Sequence, residues 1–379
     1  MDSVTSLFEK HFHHKPTHTA QAPGRLELLG NHTDYNEGLV MSVAVDRYIF
    51  MASAARNDEK VRLIANSFPE PEEFSVAKLE RSSKAPWADY VKGVLDQLQK
   101  RGVHMGGFDA VIEGTIPMGA GMSSSAALEV ATALTVRDLY PFRLTERGDE
   151  KLELAKVCQA AENQFVGVKC GLLDQVSSLF GKADHAIEID FQSLTVEHAP
   201  MAGEVAVVVC NSSVKHQLVG GEYNELRAMC ESAAKKLGVK FLRLVSEQEV
   251  ESQRSKLTER EYQCAHHITG ENARVTAGVK ALRQGDFAQF GQFMFQSHAS
   301  SRDFFHNSTR ELDLLVDIAH RHPACYGARL TGGGFGGATI NLVKRPEVDA
   351  FGSFMSAQYQ TRAGIQMTPL VCRVADGAA

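Results

Sequence analysis

The segment formed by residues 22–36 constrains the fold more than any other, because an alternating strand runs directly into a polar loop. Six consecutive loop side chains can form hydrogen bonds, and glycines flank them at positions 30 and 38: Asn31, His32, Thr33, Asp34, Tyr35 and Asn36. Such a run is poor material for a hydrophobic core. It could form a surface loop closed by an Asx turn. It could also bind a ligand rich in hydroxyl groups, because a site built to pair hydroxyls rejects analogues that leave its groups unpaired.

The length of the chain indicates two domains. At 379 residues it exceeds the size at which one hydrophobic core stops growing. We expect a boundary near residues 191–203, where Pro200 and Gly203 interrupt the pattern, and assign residues 1–198 and 199–379 to the two domains. Strand runs and helix runs are segregated along the chain, which indicates an α+β fold and not an alternating doubly wound sheet.

Composition excludes several classes of protein. A net charge of −6 argues against a nucleic-acid partner, which would require a basic patch. The longest apolar run, at 205–210, is too short to cross a bilayer, and residues 1–15 lack the apolar core of a signal peptide. The seven cysteines are scattered and form no C-x-x-C pair, which indicates inert thiols and not a disulfide framework or zinc site. We therefore expect a cytoplasmic protein without a membrane partner.

Hydrophobic periodicity predicts the order of the elements. In the first half we expect helices at 4–14, 87–100, 122–139, 150–166 and 174–180, and strands at 18–30, 38–54, 108–116 and 185–190. A strand at 204–211 opens the second half, where helices dominate through residue 322 apart from a polar break near 251–258. The last strands are expected at 328–331, 338–343 and 367–373.

A turn of small residues separates the strand predicted at 108–116 from the following helix. Small residues allow backbone N–H groups to approach an anion, and the positive end of the helix points to the same place. The lysine of G-x-x-x-x-G-K-[ST] is missing, and Ser124 occupies the third glycine position of G-x-G-x-x-G, so neither of those loops applies. The serines could cap the helix, bind a metal, or do both. The predicted phosphate-binding residues are Gly119, Ala120, Gly121, Met122, Ser123, Ser124 and Ser125.

Two carboxylates and a second glycine-rich run complete the candidate site. Phosphoryl transfer requires a metal beside the phosphates and a group that orients the incoming hydroxyl. Glu162 could supply a hard oxygen ligand for magnesium together with a serine, or it could be a surface acid of its helix. Asp174 could orient the hydroxyl, or it could be a helix N-cap. Five glycines within residues 332–337 are costly to order, which indicates close backbone packing or a ligand.

These motifs together resemble those of galactokinases, a branch of the GHMP kinase superfamily. Residues 24–40 resemble the sugar signature G-R-x-N-L-I-G-E-H-T-D-Y-N-x-G-x-V, and residues 117–126 resemble the nucleotide loop P-x-G-x-G-L-S-S-S-A. Residues 170–175 match C-G-x-x-D-Q, and residues 331–337 match T-G-G-G-F-G-G. The similarity extends over about residues 18 to 373, with the spacing of the motifs preserved.

The resemblance implies a fold and a reaction. The expected fold has a ribosomal protein S5 domain 2-like N-terminal domain and a GHMP C-terminal domain, with the active site between them. The expected activity transfers phosphate from ATP, with Mg²⁺, to the C1 hydroxyl of α-D-galactose, the first step of galactose catabolism by the Leloir pathway. We expect a monomer whose partners are the sugar and ATP.

The resemblance also assigns roles to residues. Asp174 is expected to orient the anomeric hydroxyl and take its proton late, while Arg25 counters charge on the phosphoryl group. Ser125 and Glu162 fall on the positions of the metal ligands. Tyr223 falls where the family places a tyrosine against the sugar, although a tyrosine near a helix start could simply pack. The remaining sugar-binding positions are Asn31, His32, Thr33, Asp34 and Gly171.

One departure from the family pattern bears on specificity. The family has Asn where Glu27 stands and Glu where Asn31 stands, and that glutamate contacts the sugar near its C6 hydroxyl. An amide at position 31 loses a charge-assisted hydrogen bond. Because positions 25 and 27 share one face of a strand, we expect Glu27 to pair with Arg25. The exchange is either compensated or it relaxes the preference at C6. Phe304 and Phe305 also depart from the family, without a functional explanation.

Three alternatives follow. The exchange at 27 and 31 is compatible with an anomeric kinase for another hexose, an N-acetylhexosamine or a uronic acid. A sugar-sensing regulator without turnover is disfavoured, because the serine run and Asp174 are both intact. A dinucleotide-dependent oxidoreductase lacks its third glycine.

Overall fold

The first half of the chain builds a sheet around one long strand. The computed structural model describes residues 2–68, 70–117, 119–201, 203–215 and 219–379, so Met118 of the phosphate loop lies outside the described residues. In chain order the elements are α1 (Asp2–Phe12), β1 (His18–Leu29), β2 (Leu39–Ala55), β3 (Lys60–Ala65), β4 (Glu72–Ser75), α2 (Ala88–Lys100), β5 (Phe108–Gly114), α3 (Ser124–Leu139), α4 (Glu150–Ala160), α5 (Leu173–Phe180), β6 (His185–Asp190) and β7 (Thr195–Pro200).

These strands form one seven-stranded sheet within the described residues, ordered β4-β3-β5-β2-β6-β7, with β1 paired to β2. All pairs are antiparallel except β3 with β5. Along β1, Arg25 pairs with Ala44 and Glu27 with Ser42, and the register with β2 shifts just before and just after this stretch, at 23–25 and 27–29. Helix α3 is rich in Ala, Val and Leu and is buried along residues 126–136, as expected for a helix that is apolar on all sides.

The second half contains a smaller sheet and most of the remaining helices. Its elements are β8 (Val205–Lys215), α6 (Val219–Lys236), α7 (Glu247–Ser252), α8 (Glu259–Arg283), α9 (Phe287–Ser300), α10 (Arg310–His320), β9 (Cys325–Leu330), β10 (Gly336–Lys344), α11 (Val348–Ala363) and β11 (Leu370–Cys372). The sheet order is β11-β8-β10-β9, with every pair antiparallel. The predicted α+β class is confirmed.

The two halves are joined by packing as well as by the chain. One hydrophobic cluster contains Leu26 and Val43 of the first sheet together with Val207 and Ile340 of the second. A separate cluster on the other face of the second sheet joins Val208 to helices α10 and α11. Helix α8, which begins with a capping box between Thr258 and Glu261, packs against β1 and β2. This helix therefore reaches from the second half to the polar loop after β1.

The predicted domain boundary falls inside a strand. β7 pairs with β6 in the first sheet and runs across the position between residues 198 and 199, while the second sheet begins at Val205. The end of the chain also returns to the first sheet, where Ala379 exchanges backbone hydrogen bonds with Gln21 at 2.7 and 3.0 Å. The division into two domains stays a prediction, and strands β3, β4 and β7 were not predicted.

Candidate active site

Helix α8 holds the start of the polar loop after β1 through the buried carboxylate of Glu271. One carboxylate oxygen of Glu271 accepts hydrogen bonds from the backbone N–H groups of Gly30 and Asn31, at 2.8 and 2.9 Å. Its other oxygen pairs with Arg274 at 2.7 Å. Burial alone would raise the pKa of Glu271, but Arg274 and the N–H donors hold it below its ordinary value. A buried anion therefore fixes the start of the loop.

The side chains of this loop point in two directions. The ring of His32 lies between the Tyr35 hydroxyl at 2.9 Å and the Gly333 carbonyl at 3.0 Å, so Nε2 donates to the carbonyl. Burial lowers the pKa of His32 to about 4, which leaves the ring neutral near pH 7. Thr33 is fully buried, and its hydroxyl contacts the carbonyls of Gly30 and Leu39 at 2.8 and 2.6 Å. The structure does not bring Thr33 into the cavity described next.

A cavity of about 530 Å³ gathers most of the predicted sugar-binding and catalytic residues. It lies between the polar loop, the turn before α5, helix α6 and the glycine run after β9. The predicted residues that line it are Arg25, Asn31, His32, Asp34, Glu162, Gly171, Asp174 and Tyr223. The Tyr223 ring lies 4.9 Å from the His32 ring, centroid to centroid, so it is both packed and available to the cavity.

Asp34 and Gly171 fit closely together within this cavity. A Cβ atom at position 171 would lie 1.5 Å from Oδ2 of Asp34, so only glycine leaves that carboxylate in place. Burial, with the negative charges of Glu27 and Asp174, raises the pKa of Asp34 to about 7. Asp34 is therefore a carboxyl group poised between its two protonation states at neutral pH.

Asp174 is bonded on both of its oxygens. Arg25 Nε donates to Oδ1 at 2.7 Å, and Nη2 forms an ion pair with the same oxygen at 2.6 Å. The Ser123 hydroxyl donates to Oδ2. The third nitrogen of Arg25, Nη1, donates to the Gly121 carbonyl at 2.6 Å. Asp174 is the second residue of α5, whose N-cap position is Leu172, so the N-cap alternative is wrong. The arrangement fixes a carboxylate beside the glycine- and serine-rich turn.

A second cavity, of about 420 Å³, adjoins the turn before α3. Gly119, Gly121, Ser123 and Arg25 line one side of it, and the glycine run 332–337 lines the other. Ser123 is in the left-handed region at φ +51° and makes no side-chain cap, because its hydroxyl bonds Asp174. Ser123 therefore occupies the N-cap position of α3, as the capping alternative predicted, but its side chain does not cap the helix. The first backbone N–H groups of α3 lack a side-chain cap from this residue, and such groups favour an anion.

Glu162 lies in a buried π-helical turn, Ala161–Val166, so the alternative of a surface acid is wrong. Its Oε2 accepts from Gln175 Nε2 at 3.1 Å and from Cys170 Sγ at 3.2 Å. Burial and the charge of Asp174 raise the pKa of Glu162 to about 7. The neighbouring Glu129 is fully buried, and its Oε1 has no hydrogen-bond partner among the described residues.

This acidic region has the donors that a hard cation requires. The buried carboxylates of Glu129 and Glu162 lie near Asp174, and of these three groups only Asp174 has an arginine partner. A bound cation would therefore offset the cost of burying these charges. Carboxylate and hydroxyl oxygens are suited to Mg²⁺. No group of three or more His, Cys, Asp or Glu side chains in the described parts of the chain could hold a metal alone. Phosphate oxygens and water would have to complete the coordination.

The expected pairing of Glu27 with Arg25 is wrong. Both residues line the main cavity, as their shared strand face predicts, but they form no hydrogen bond or ion pair with each other in the described structure. Arg25 is committed to Asp174 and Gly121. Glu27 pairs instead with the fully buried Arg329, at 2.8 Å between Oε1 and Nη1. Sequence reasoning failed because Arg329 is 302 residues away in the chain.

Sequence reasoning also missed an aromatic pocket at the start of α2. The rings of Phe68 and Trp87 are stacked, 5.6 Å apart and 8° from parallel, and with Tyr90 they line a cavity of about 540 Å³. Arg81 and Lys84 line the same cavity. Burial and the charge of Glu162 raise the pKa of Tyr90 to about 12, which places the pocket close to the acidic region. The only tryptophan of the chain was a signal that could have indicated it.

Comparisons with known proteins agree with this geometry. The galactokinase galactose-binding signature matches residues 6–55, and the GHMP kinase N-terminal and C-terminal domain models match residues 89–182 and 279–361. A galactokinase of Chloroflexus aurantiacus is 41% identical, covering 100% of this chain and 97% of the relative. The chain belongs to the galactokinase family of GHMP kinases. A galactokinase of Roseiflexus is 42% identical, over 98% of this chain and 94% of the relative.

Solved structures give the same family. The crystal structure of Lactococcus lactis galactokinase complexed with galactose matches with a TM-score of 0.94 and 31% identity, over 100% of this chain and 99% of that one. A mevalonate kinase matches with a TM-score of 0.66 and 18% identity, which shows a common fold alone. The predicted two-domain GHMP kinase fold is confirmed at the level of the family. No helix in the described part of the chain is long and apolar enough to cross a membrane.

Proposed function

We propose that this protein transfers the γ-phosphoryl group of ATP to the C1 hydroxyl of α-D-galactose, giving galactose 1-phosphate and ADP. The relatives that it resembles over its whole length are galactokinases, and one of them was crystallised with galactose. The observation that carries the proposal is the position of Arg25, which lines both cavities while it holds Asp174. One residue thereby joins a sugar-sized site to a phosphate-sized site.

The sugar occupies the cavity of about 530 Å³ in this proposal. His32, Asp34 and Tyr223 line it, and each carries a polar group that can bond a sugar hydroxyl. The Tyr223 ring covers an apolar face of the pyranose. Asp34 accepts hydroxyl hydrogen bonds when it is charged, and Gly171 leaves room for its carboxylate.

The phosphates occupy the cavity of about 420 Å³ beside the start of α3. Backbone N–H groups of residues 119–125 and the positive end of that helix favour the triphosphate. The adenine ring enters the pocket of Phe68, Trp87 and Tyr90, because stacked aromatic rings accept a flat base.

Ser125 and Glu162 hold the magnesium ion in this proposal, with phosphate oxygens and water as the other ligands. When bound, the ion neutralises charge on the phosphates and fixes their orientation. The buried Glu162, with its raised pKa, supports a cation site, because a neighbouring cation favours the charged carboxylate.

The reaction is an in-line displacement. The oxygen of the C1 hydroxyl forms a bond to the γ-phosphorus, and the bond from that phosphorus to the β–γ bridging oxygen breaks, which releases ADP. Asp174 accepts a hydrogen bond from the C1 hydroxyl and takes its proton as the new bond forms. Arg25 and Ser123 fix both carboxylate oxygens, so the carboxylate is oriented before the sugar arrives.

A substrate panel tests the proposal. Purified protein, ATP and Mg²⁺ are incubated separately with galactose, glucose, N-acetylgalactosamine and galacturonic acid, and the release of ADP is measured. We expect galactose to give the highest kcat/KM. A higher value for one of the other sugars would assign the enzyme to that sugar, an outcome that the exchanged residues 27 and 31 make worth testing. Light scattering during gel filtration tests the predicted monomer.

A further inference from the structure

The two oxygens of the Glu27 carboxylate have different surroundings. Oε1 accepts from Arg329 Nη1 at 2.8 Å and from Asn31 Nδ2 at 2.9 Å. Oε2 makes no hydrogen bond among the described residues, although Glu27 lines the main cavity. One half of the carboxylate is thus anchored, and the other half is available to whatever fills the cavity.

Asn31, by contrast, has no hydrogen-bonding capacity left. Its Nδ2 donates to Glu27 and to the Gly332 carbonyl, each at 2.9 Å. Its Oδ1 accepts from Asn307 at 2.8 Å and from Ser301 at 3.4 Å. An asparagine amide has two donors and two acceptor lone pairs, so all four are occupied. The residue is also fully buried.

We propose that Glu27 binds the sugar through Oε2, and that Asn31 is a positioning residue which orients the Glu27 carboxylate. This inference rests on the proposed function. Glu27 follows Arg25 by two residues on the same strand face, a separation of about 6.6 Å. The sugar hydroxyl that donates a hydrogen bond to Glu27 is therefore not the C1 hydroxyl that reacts at Asp174. The carboxylate absent from position 31 is supplied to the same cavity from position 27.

The negative charge of Glu27 is balanced by Arg329, which lies in the protein interior. The Arg329 side chain is 0% exposed, and its Nε and Nη2 have no partner in the described structure. Removing the Glu27 charge would leave this guanidinium buried and uncompensated, which is strongly destabilising. The test therefore needs one variant that removes the charge and another that keeps it.

The two variants are Glu27→Gln and Glu27→Asp, and Glu197→Gln is the control on an exposed acid paired with Arg283. For each protein, kcat/KM is measured with galactose and with its 2-, 3-, 4- and 6-deoxy analogues. Galactose binding without nucleotide is measured by calorimetry. Glu27→Asp keeps a negative charge facing Arg329 but withdraws the carboxylate from the cavity by one methylene.

We expect Glu27→Gln and Glu27→Asp to lower galactose affinity and kcat/KM by about 10- to 100-fold, mainly through KM. For one deoxy analogue, the same substitutions should lower kcat/KM by less than about 3-fold, because the hydroxyl that pairs with Glu27 is already missing. Glu197→Gln should match the unsubstituted protein on every sugar. If Glu27→Gln does not fold, Glu27→Asp decides the question.

Equal losses on all five sugars would assign Glu27 a purely structural role and overturn the proposal. So would a Glu27→Asp variant that binds galactose as tightly as the unsubstituted protein. Failure of the unsubstituted protein to phosphorylate galactose would instead contradict the proposed function. The calorimetric comparison, which needs no turnover, would still test the contact.

Discussion

Arg25 donates a hydrogen bond from Nε to Oδ1 of Asp174 at 2.7 Å, and its Nη2 forms an ion pair with the same oxygen at 2.6 Å. The pairing joins a strand of the first sheet to the start of α5 across 149 residues of sequence. It leaves the second oxygen of Asp174 to the Ser123 hydroxyl, in the turn that precedes α3. The carboxylate is therefore positioned by two motifs that the sequence separates widely.

Asp174→Asn is expected to lower kcat by about 10²- to 10⁴-fold, because an amide cannot take the proton of the C1 hydroxyl. ADP release at saturating galactose and ATP measures the effect. The control is Asp349→Asn, which alters an exposed aspartate on α11. Near-normal turnover by Asp174→Asn would remove Asp174 from the catalytic role, provided that the preparation is free of host kinase.

Gly171→Ala is expected to raise the KM for galactose by about 10-fold or more with little loss of stability. The new Cβ would lie 1.5 Å from Asp34 Oδ2, and this oxygen ends a side chain that can rotate away. The carboxylate would then leave its place in the cavity. Gly203→Ala is the matched control, because a Cβ at position 203 meets no atom within 4 Å. An unchanged KM in Gly171→Ala would contradict the assigned role of Asp34.

Fluorescence of Trp87 is expected to report nucleotide binding directly, because it is the only tryptophan in the chain. A base stacked in the pocket of Phe68, Trp87 and Tyr90 would change the emission, so titration with ADP should give a saturable signal. Trp87→Ala should raise the KM for ATP by about 10-fold or more and leave the KM for galactose nearly unchanged. Saturation with ADP without any change of emission would place the base elsewhere.

The contribution of Asp34 and Glu162 to stability without ligands is expected to fall as pH rises from about 4 to about 7. The pKa values of Asp34 and Glu162 are both raised to about 7 in the folded protein, chiefly by burial. Across this range the folded state therefore holds protons that the unfolded state has released, so the contribution of these groups decreases and then levels off above pH 7. Urea unfolding at several pH values measures the slope. The double variant Asp34→Asn, Glu162→Gln should show a more positive slope than the unsubstituted protein, and an unaltered slope would contradict the assignment.

Glu162→Gln is expected to raise the Mg²⁺ concentration needed for half-maximal activity by about 10-fold or more, since a neutral amide is a weaker ligand for a hard cation. The control is Glu153→Gln, on the helix just before the π-helical turn, whose carboxylate forms a half-buried pair with Lys156. Activity is measured at fixed ATP over a series of Mg²⁺ concentrations. The same Mg²⁺ dependence in both variants would remove Glu162 from the metal site.

Local patterns in the sequence predicted most of the elements but not their long-range partners. The alternation along β1 correctly put Arg25 and Glu27 on one face, since strand period is a local property. The partner of Glu27 could not be predicted, because Arg329 meets it only after the second sheet has packed against the first. Strand β4 was missed because its residues, Glu72–Ser75, are mostly polar and lie at a sheet edge.

In the candidate site, too, local features were predicted from the sequence, whereas tertiary contacts were not. The loop 31–36 was predicted to bind a ligand as a unit, yet Thr33 turns inward to backbone carbonyls while His32 and Asp34 face the cavity. A sequence does not reveal which side chain of a loop is needed to satisfy its own backbone. The support from Glu271 also follows from tertiary packing, because α8 belongs to the other half of the chain.

The central claim is that the carboxylate of Asp174 lies between a galactose site and a nucleotide site and makes the C1 hydroxyl reactive. Phosphorus NMR of purified protein with galactose, ATP and Mg²⁺ tests it most directly. The account predicts the resonance of an anomeric sugar phosphate, growing in proportion to ADP, and its loss in Asp174→Asn. Phosphate attached at another position of the sugar, or equal product from Asp174→Asn, would contradict the account.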